Sequence, residues 1–185
     1  MIRIEIKNGL VWENDQIIYQ DQKSEFNDFA KGLFKKLEID YPKFYKMDQQ
    51  SKLAFLTAEL LLKNENTLNE EKDIALIFAN KNSSLESDLK HQKSIQTEGG
   101  IFPSPAVFVY TLANICLGEV SIRHHLKTEN TFFISETFNE DLYTKYAHYL
   151  IENNRAKKVV IAWVDFLQEE YSAKMILVEN NTIIE

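Results

Sequence analysis

The chain has 185 residues, a length that suits one domain and leaves little room for two. Its 28 acidic residues against 21 basic ones give a formal charge of −7, which repels polyphosphates and disfavours general nucleic-acid binding. The 44% of hydrophobic and 12% of aromatic residues suffice for a packed core, and the single cysteine, Cys116, excludes an intrachain disulfide and suits a reducing compartment. The opening MIRIEIKNGLVWENDQ alternates polar and apolar residues, unlike the continuous apolar segment of a signal peptide, and no run of about 18 uncharged apolar residues occurs anywhere. These features predict one soluble, cytoplasmic domain over residues 1–185 with no membrane span.

Ile2, Ile4 and Ile6 alternate with Arg3, Glu5 and Lys7, and Asn8-Gly9 then precedes Leu10-Val11-Trp12, which predicts a hairpin. Ser24 to Leu37 and Asp48 to Lys63 carry apolar residues at helical spacing and predict two helices. Between them Pro42 biases Tyr41 away from helical geometry, so residues 40–47 read as a connector. Ile74 to Ala79 is a short apolar run bounded by Asp73 and the polar Asn80 to Ser84, as expected of a strand buried on both faces. Ala106 to Leu126 is the most apolar stretch and predicts a helix that is buried or seated in an interface. Thr131 to Ser135 follows as a strand, Asn139 to Asn153 as a helix, and Val159 to Val164 and Ala173 to Val178 as strands. This alternation predicts an α/β fold in which strands 73–79, 130–135, 158–165 and 172–178 share one mixed sheet, the first three parallel and the last returning antiparallel.

No catalytic constellation stands out among the residues alone. Gly99-Gly100-Ile101-Phe102-Pro103-Ser104-Pro105 concentrates the turn residues, but its spacing matches no phosphate-binding motif, and it reads as a rigid turn with Pro105 opening a helix. Cys116, between Ile115 and Leu117, reads as a packed thiol rather than a reactive one. His124 and His125 close the apolar helix, where imidazolium would complement the dipole; as sequence neighbours they point apart and do not make a chelating pair. His91 and His148 stand alone in polar helical surroundings, and the pairs Glu70-Glu71 and Glu169-Glu170 read as solvated faces. No metal or cofactor site is expected.

Phe102 to Lys127, with its serine-proline start, Asn114, Gly118 and Leu126, resembles the N-terminal half of β-ketoacyl-acyl-carrier-protein synthases, of the thiolase-like superfamily. Lys46-Met47-Asp48 is similar to that family's basic-methionine-aspartate helix start, and Asp73 to Phe78 to its first central strand, so the resemblance spans about residues 40–165. It implies half of a thiolase-like fold, one mixed sheet flanked by helices. It also implies that Thr137 occupies the position of the family's nucleophilic cysteine, with Phe138, Asn139 and Glu140 where small residues normally follow. A threonine hydroxyl needs an adjacent base, and Glu136 and Glu140 would repel a developing oxyanion. The family's catalytic histidines and lysine belong to a C-terminal half for which this sequence offers no counterpart. Within the helix at 139–153, Leu142, Tyr146, Tyr149, Leu150 and Asn153 read as an apolar face, and Thr144, Lys145, His148 and Glu152 as a polar face turned to solvent where that second half would lie.

The expected function is therefore that of a ketosynthase-like accessory without condensing activity, in fatty-acid, polyketide or polyene-pigment synthesis. Its expected partner is a second copy or a full-length ketosynthase, met through residues 106–126 and 130–135, with acyl carrier protein as a further candidate. Two alternatives stand beside it: a stand-alone acyltransferase or thioesterase using Thr137, Ser135 or His148, and a structural module that dimerises through its apolar helix.

Overall fold

The computed structural model describes residues 2–68, 72–96 and 104–180. Strands β1 (Ile2–Lys7) and β2 (Leu10–Glu13) form the expected hairpin. Asn8 and Gly9 both take positive φ, the requirement of a two-residue turn whose twist matches its strands. Gly9 is further constrained by space, since a Cβ there would lie 2.2 Å from the Asp21 carbonyl oxygen. A second tight turn at Asn14-Asp15 adds β3 (Gln16–Gln20), a strand that the sequence pattern does not predict.

Helices α1 (Phe26–Lys36) and α2 (Gln49–Leu61) follow, separated by a 3₁₀ turn at Pro42–Lys46 in the expected connector. Asp48 caps α2 by accepting from the Ser51 N–H at 2.8 Å. Then come β4 (Ile74–Asn80), α3 (Leu85–Gln96), a single turn α4 (Pro105–Phe108), α5 (Ile115–Arg123), β5 (Asn130–Ile134), α6 (Glu140–Glu152), β6 (Lys158–Leu167) and β7 (Glu170–Glu179).

All seven strands join one sheet in the order β3-β2-β1-β7-β6-β4-β5. The strand β4 runs parallel to both β5 and β6, and β6 returns antiparallel into β7, as predicted, around Gln168 and Glu169. The N-terminal ribbon enters through an antiparallel β1–β7 pairing, Ile4 opposite Met175. Every residue of β4 is buried, the signature of a strand covered on both faces.

One face of the sheet carries α1, α2 and α5 over a core that includes Ile4, Phe29, Phe55, Leu56, Phe78 and Met175. Among the described elements the other carries α6 alone, over Ala75, Ile77, Val159, Ile161 and Ile176.

Four expectations are corrected. The apolar stretch 106–126 is not one buried helix: a 3₁₀ turn at Val109–Thr111 and extended backbone at Leu112 split it, and the two helical parts lie 100° apart. Ser84 Oγ donates to the Thr111 carbonyl at 2.8 Å, satisfying an acceptor freed at the break. Phe108, Val109, Leu112 and Ile122 are left exposed.

The α6 faces are also rotated from their expected phase. Tyr143, Thr144, Ala147, Leu150 and Ile151 meet the sheet, while Leu142 and Tyr149 face outward. The small Thr144 and Ala147 let the helix approach Ala75 and Ala79, which the bulkier stripe could not do. Glu169 is not a free solvated carboxylate, because its Oε2 accepts from the Phe26 N–H at 2.9 Å and so caps α1.

The fourth correction concerns His124, which is no dipole-complementing imidazolium. It is 2% exposed, its Nδ1 lies 2.7 Å from Thr67 Oγ1, and burial together with Arg123 and His125 pushes its pKa down to about 3. Glu59 Oε1 stands 3.4 Å from Nε2, but Arg123 Nε already donates to that oxygen at 2.7 Å, so the carboxylate gives little support to a second cation.

The turn 99–103 and the pair Glu70-Glu71 lie outside the described residues; Pro105 does open α4. No single helix among the described residues is long and apolar enough to cross a membrane.

Candidate functional site

Parallel strands in an open α/β sheet present their loops together at their carboxyl ends, and the crevice opens where successive connections leave in opposite directions. Here β4 leads away toward β5 on one side, and β6 toward β7 on the other. Their ends gather Asn80, Lys81, Asn82, Ser135 to Asn139 and Asp165.

The loop after β4 is held from within. Asn80 Nδ2 donates to the Ser83 carbonyl at 2.8 Å, and the Ser83 N–H returns to Asn80 Oδ1 at 3.0 Å. Asp165 fastens it from β6, accepting from the Lys81 and Asn82 N–H groups at 3.1 and 2.9 Å and from Asn82 Nδ2 at 2.7 Å.

The turn between β5 and α6 contains Thr137. Ser135 N–H donates to the Asn80 carbonyl at 2.9 Å, tying the turn to β4. Ser135 Oγ donates to the Thr137 carbonyl and lies 3.1 Å from the Tyr143 hydroxyl. Asn139 caps α6 through the Leu142 N–H at 3.0 Å, and Phe138 packs beside Tyr143 and Trp163 with the Lys174 ammonium over its ring. The Thr137 side chain is exposed, and among the described residues no hydrogen bond joins its hydroxyl to a base. Glu136 instead pairs with Lys81 at 3.1 Å, both side chains more than half exposed.

The other expected candidates are not brought to this turn. His148 lies on α6 more than two helical turns beyond Asn139, about 13 Å along the axis at about 1.5 Å per residue. Cys116 is fully buried on the opposite side of the sheet; Gln50 Nε2 donates to Sγ at 3.5 Å, and burial pushes the thiol up to about 12. It stays protonated at neutral pH. His91 leans on the Phe108 ring with centroids 5.4 Å apart, and its Nδ1 is enclosed without a hydrogen-bond partner. Among the described residues no group of three or more His, Cys, Asp or Glu could hold a metal ion.

Two features of the surrounding surface bear on function, and the first escapes the sequence pattern. A polar cleft of about 530 Å³ opens beside the crevice, lined by residues of β1, β6, β7 and the loop after β4. The strand β5 is also an open edge of the sheet, with Phe133 and Ile134 exposed. Only the register of the assembled sheet brings the cleft residues together.

Comparison with known proteins places this arrangement. No family model matches the chain, and no curated protein matches it. Among solved structures, a chain of the ketosynthase ApeO–chain length factor ApeC complex from Xenorhabdus doucetiae superposes with a TM-score of 0.64 at 16% identity, over 97% of this chain and 78% of that one. The ishigamide ketosynthase/chain length factor gives a TM-score of 0.70 at 15% identity, over 97% of this chain and 61% of that one. A chain of the AntDE:AntF type II polyketide synthase complex gives 0.57 at 14%, with 97% and 64% covered. The chain thus has the thiolase-like α/β fold of ketosynthases. More narrowly, these three structures are of ketosynthases described with a chain length factor or an acyl-carrier protein, and in two of them this chain spans less than two thirds of the matched chain.

Proposed function

We propose that this chain is a ketosynthase-like partner subunit without condensing activity, acting beside a full-length ketosynthase in fatty-acid, polyketide or polyene-pigment synthesis. The observation that carries the reading is the β5–α6 turn: an exposed Thr137 hydroxyl with no base bonded to it among the described residues, and Phe138, Asn139 and Glu140 in place of small residues. Acyl transfer through a hydroxyl requires a bonded base and donors aimed at the oxyanion. Glu136 and Glu140 supply no oxyanion donors, and Glu140 is tied up by Arg3 at 2.7 Å and Lys174 at 2.7 Å, so it does not serve as a base either.

The partner half of the reading rests on surface. The open β5 edge shows Phe133 and Ile134, and Phe108, Val109, Leu112 and Ile122 add exposed apolar area on the neighbouring segments. Similar chains come from ketosynthase–chain length factor assemblies, which makes a ketosynthase the preferred partner over a second copy.

Two experiments test the two halves. Incubated with acyl and malonyl carrier proteins, wild type and Thr137→Cys should both yield no ketoacyl product and release no carbon dioxide, because restoring a thiol supplies neither the turn nor the base. Turnover by the purified wild type would overturn the non-catalytic reading. Co-expressed with a full-length ketosynthase from the same genome, the chain should co-elute as a heterodimer, and Ile134→Asp should abolish that. A stable monomer that ignores the synthase would remove the partner.

A further inference from the structure

The cleft of about 530 Å³ has a floor fixed by strand register. Lys7 of β1 lies opposite Ser172 of β7, which lies opposite Asp165 of β6, and all three side chains project from the face that α6 occupies farther along the strands. The helix begins only at Glu140, so this end of the face is left uncovered and polar. Lys7 and Lys81 stand at opposite walls, at the ends of strands three spacings apart, or about 14 Å, a span that two long side chains can close.

The hydrogen-bond inventory of the lining is unbalanced. The Lys7 ammonium has no ion pair and the Asn8 amide no hydrogen bond among the described residues. Ser172 Oγ accepts from Trp163 Nε1 at 3.2 Å, which leaves its own proton to donate. Among the described residues the Lys81 ammonium pairs only with the exposed Glu136. On the acceptor side, Asp165 already receives three donors and Glu170 stands exposed at the rim. The lining charges balance, but they are segregated: Lys7, Asn8 and Ser172 make a donor-bearing corner with only water to satisfy the two exposed ones, while Asp165 and Glu170 lie to its side. The volume is in the range of small-molecule sites.

We infer that this cleft binds a small molecule through an oxyanion, a carboxylate or a phosphate, seated among Lys7, Asn8 and Ser172 and closed from the far wall by Lys81. Charge-assisted hydrogen bonds to such a group are the strong ones, and they must offset the rotamer freedom that the exposed Lys7 and Lys81 side chains give up. The overall charge of −7 slows approach, but at physiological salt its field is screened beyond about 8 Å. Closure of Lys81 on a ligand releases Glu136, next to Thr137, so binding would be felt at the β5–α6 turn. The inference does not depend on the partner reading above.

The test is a titration of the ¹⁵N-labelled protein with sodium phosphate and, separately, sodium acetate, against sodium chloride at matched ionic strength. The amide signals of Lys7, Asn8, Lys81 and Ser172 should move saturably with phosphate, with acetate or with both, and the difference identifies the preferred oxyanion. Lys7→Gln combined with Lys81→Gln should weaken binding by about tenfold or more, while leaving signals elsewhere superimposable. Shifts identical to those with chloride, shifts spread over unrelated lysines, or unchanged binding by the double variant would overturn the site.

Discussion

The two faces of the sheet are built to different standards. Beneath α1, α2 and α5, aromatic rings pack on one another, Phe34 against Phe44 with centroids 4.2 Å apart and Tyr41 against Phe55 at 5.4 Å, and Arg123 lies over Tyr41 while gripping Glu59. Beneath α6 the core is smaller and more aliphatic, and it gives out before the strands do. One face is sealed and bears stability. The other is half open, and it is there that the crevice, the cleft and the Thr137 turn lie. Unfinished packing on one side of a rigid sheet is where ligand and partner surfaces can be placed without weakening the scaffold.

The contrast can be broken by substitution. On the sealed face, Phe55→Ala removes a fully buried ring shared by Tyr41, Phe44 and Phe34, and should cost about 3–5 kcal/mol in urea unfolding. A loss below about 1 kcal/mol would show that this core repacks freely.

Acid should act on the same face through His124. Its folded pKa, about 3, lies below the ordinary value of 6.5, so the unfolded chain binds the proton more readily. The stabilisation is complete above about pH 6.5 and drains away as pH falls toward 3. Melting temperature should thus decline between pH 6.5 and 4, and His124→Gln should flatten that slope; a wild-type curve equally flat would refute the buried neutral imidazole.

On the open face, Asn139→Ala removes the α6 cap and should cost about 1 kcal/mol. Tyr149→Ser, on the outward side of α6, should change stability by no more than about 0.5 kcal/mol. A larger loss from Tyr149 would mean that this side is covered in solution by a second molecule.

Elements with a strong local pattern could be read from the chain. The isoleucine alternation and Asn8-Gly9 write the first hairpin, and the uninterrupted Ile74 to Ala79 writes β4, because one residue type repeats for one physical reason. The strand β3 could not be read: Ile17-Ile18-Tyr19 shows no period of two, and an edge strand can leave Ile17 exposed without penalty. The phase of α6 was ambiguous because two overlapping stripes are apolar, and the choice falls to the one with small residues. The break at Leu112 depends on Ser84, far away in sequence, to receive the freed carbonyl. At the candidate site the turn that holds Thr137 could be located between a predicted strand and a predicted helix, whereas the Lys7–Ser172–Asp165 row exists only once β1, β7 and β6 are in register.

The pairing of β1 with β7 also has a kinetic meaning. Arg3 faces Ile176, so β1 finds this neighbour only after all the residues between them have been synthesised. Until then the β1–β2–β3 ribbon can form by itself, since its turns are local, but it has two unpaired edges, one of them the β1 side that awaits β7, and an isoleucine face with nothing to rest on. Closing so long a loop is entropically slow and comes late, so the nascent ribbon is the segment most exposed to chaperones and to pairing with the wrong neighbour.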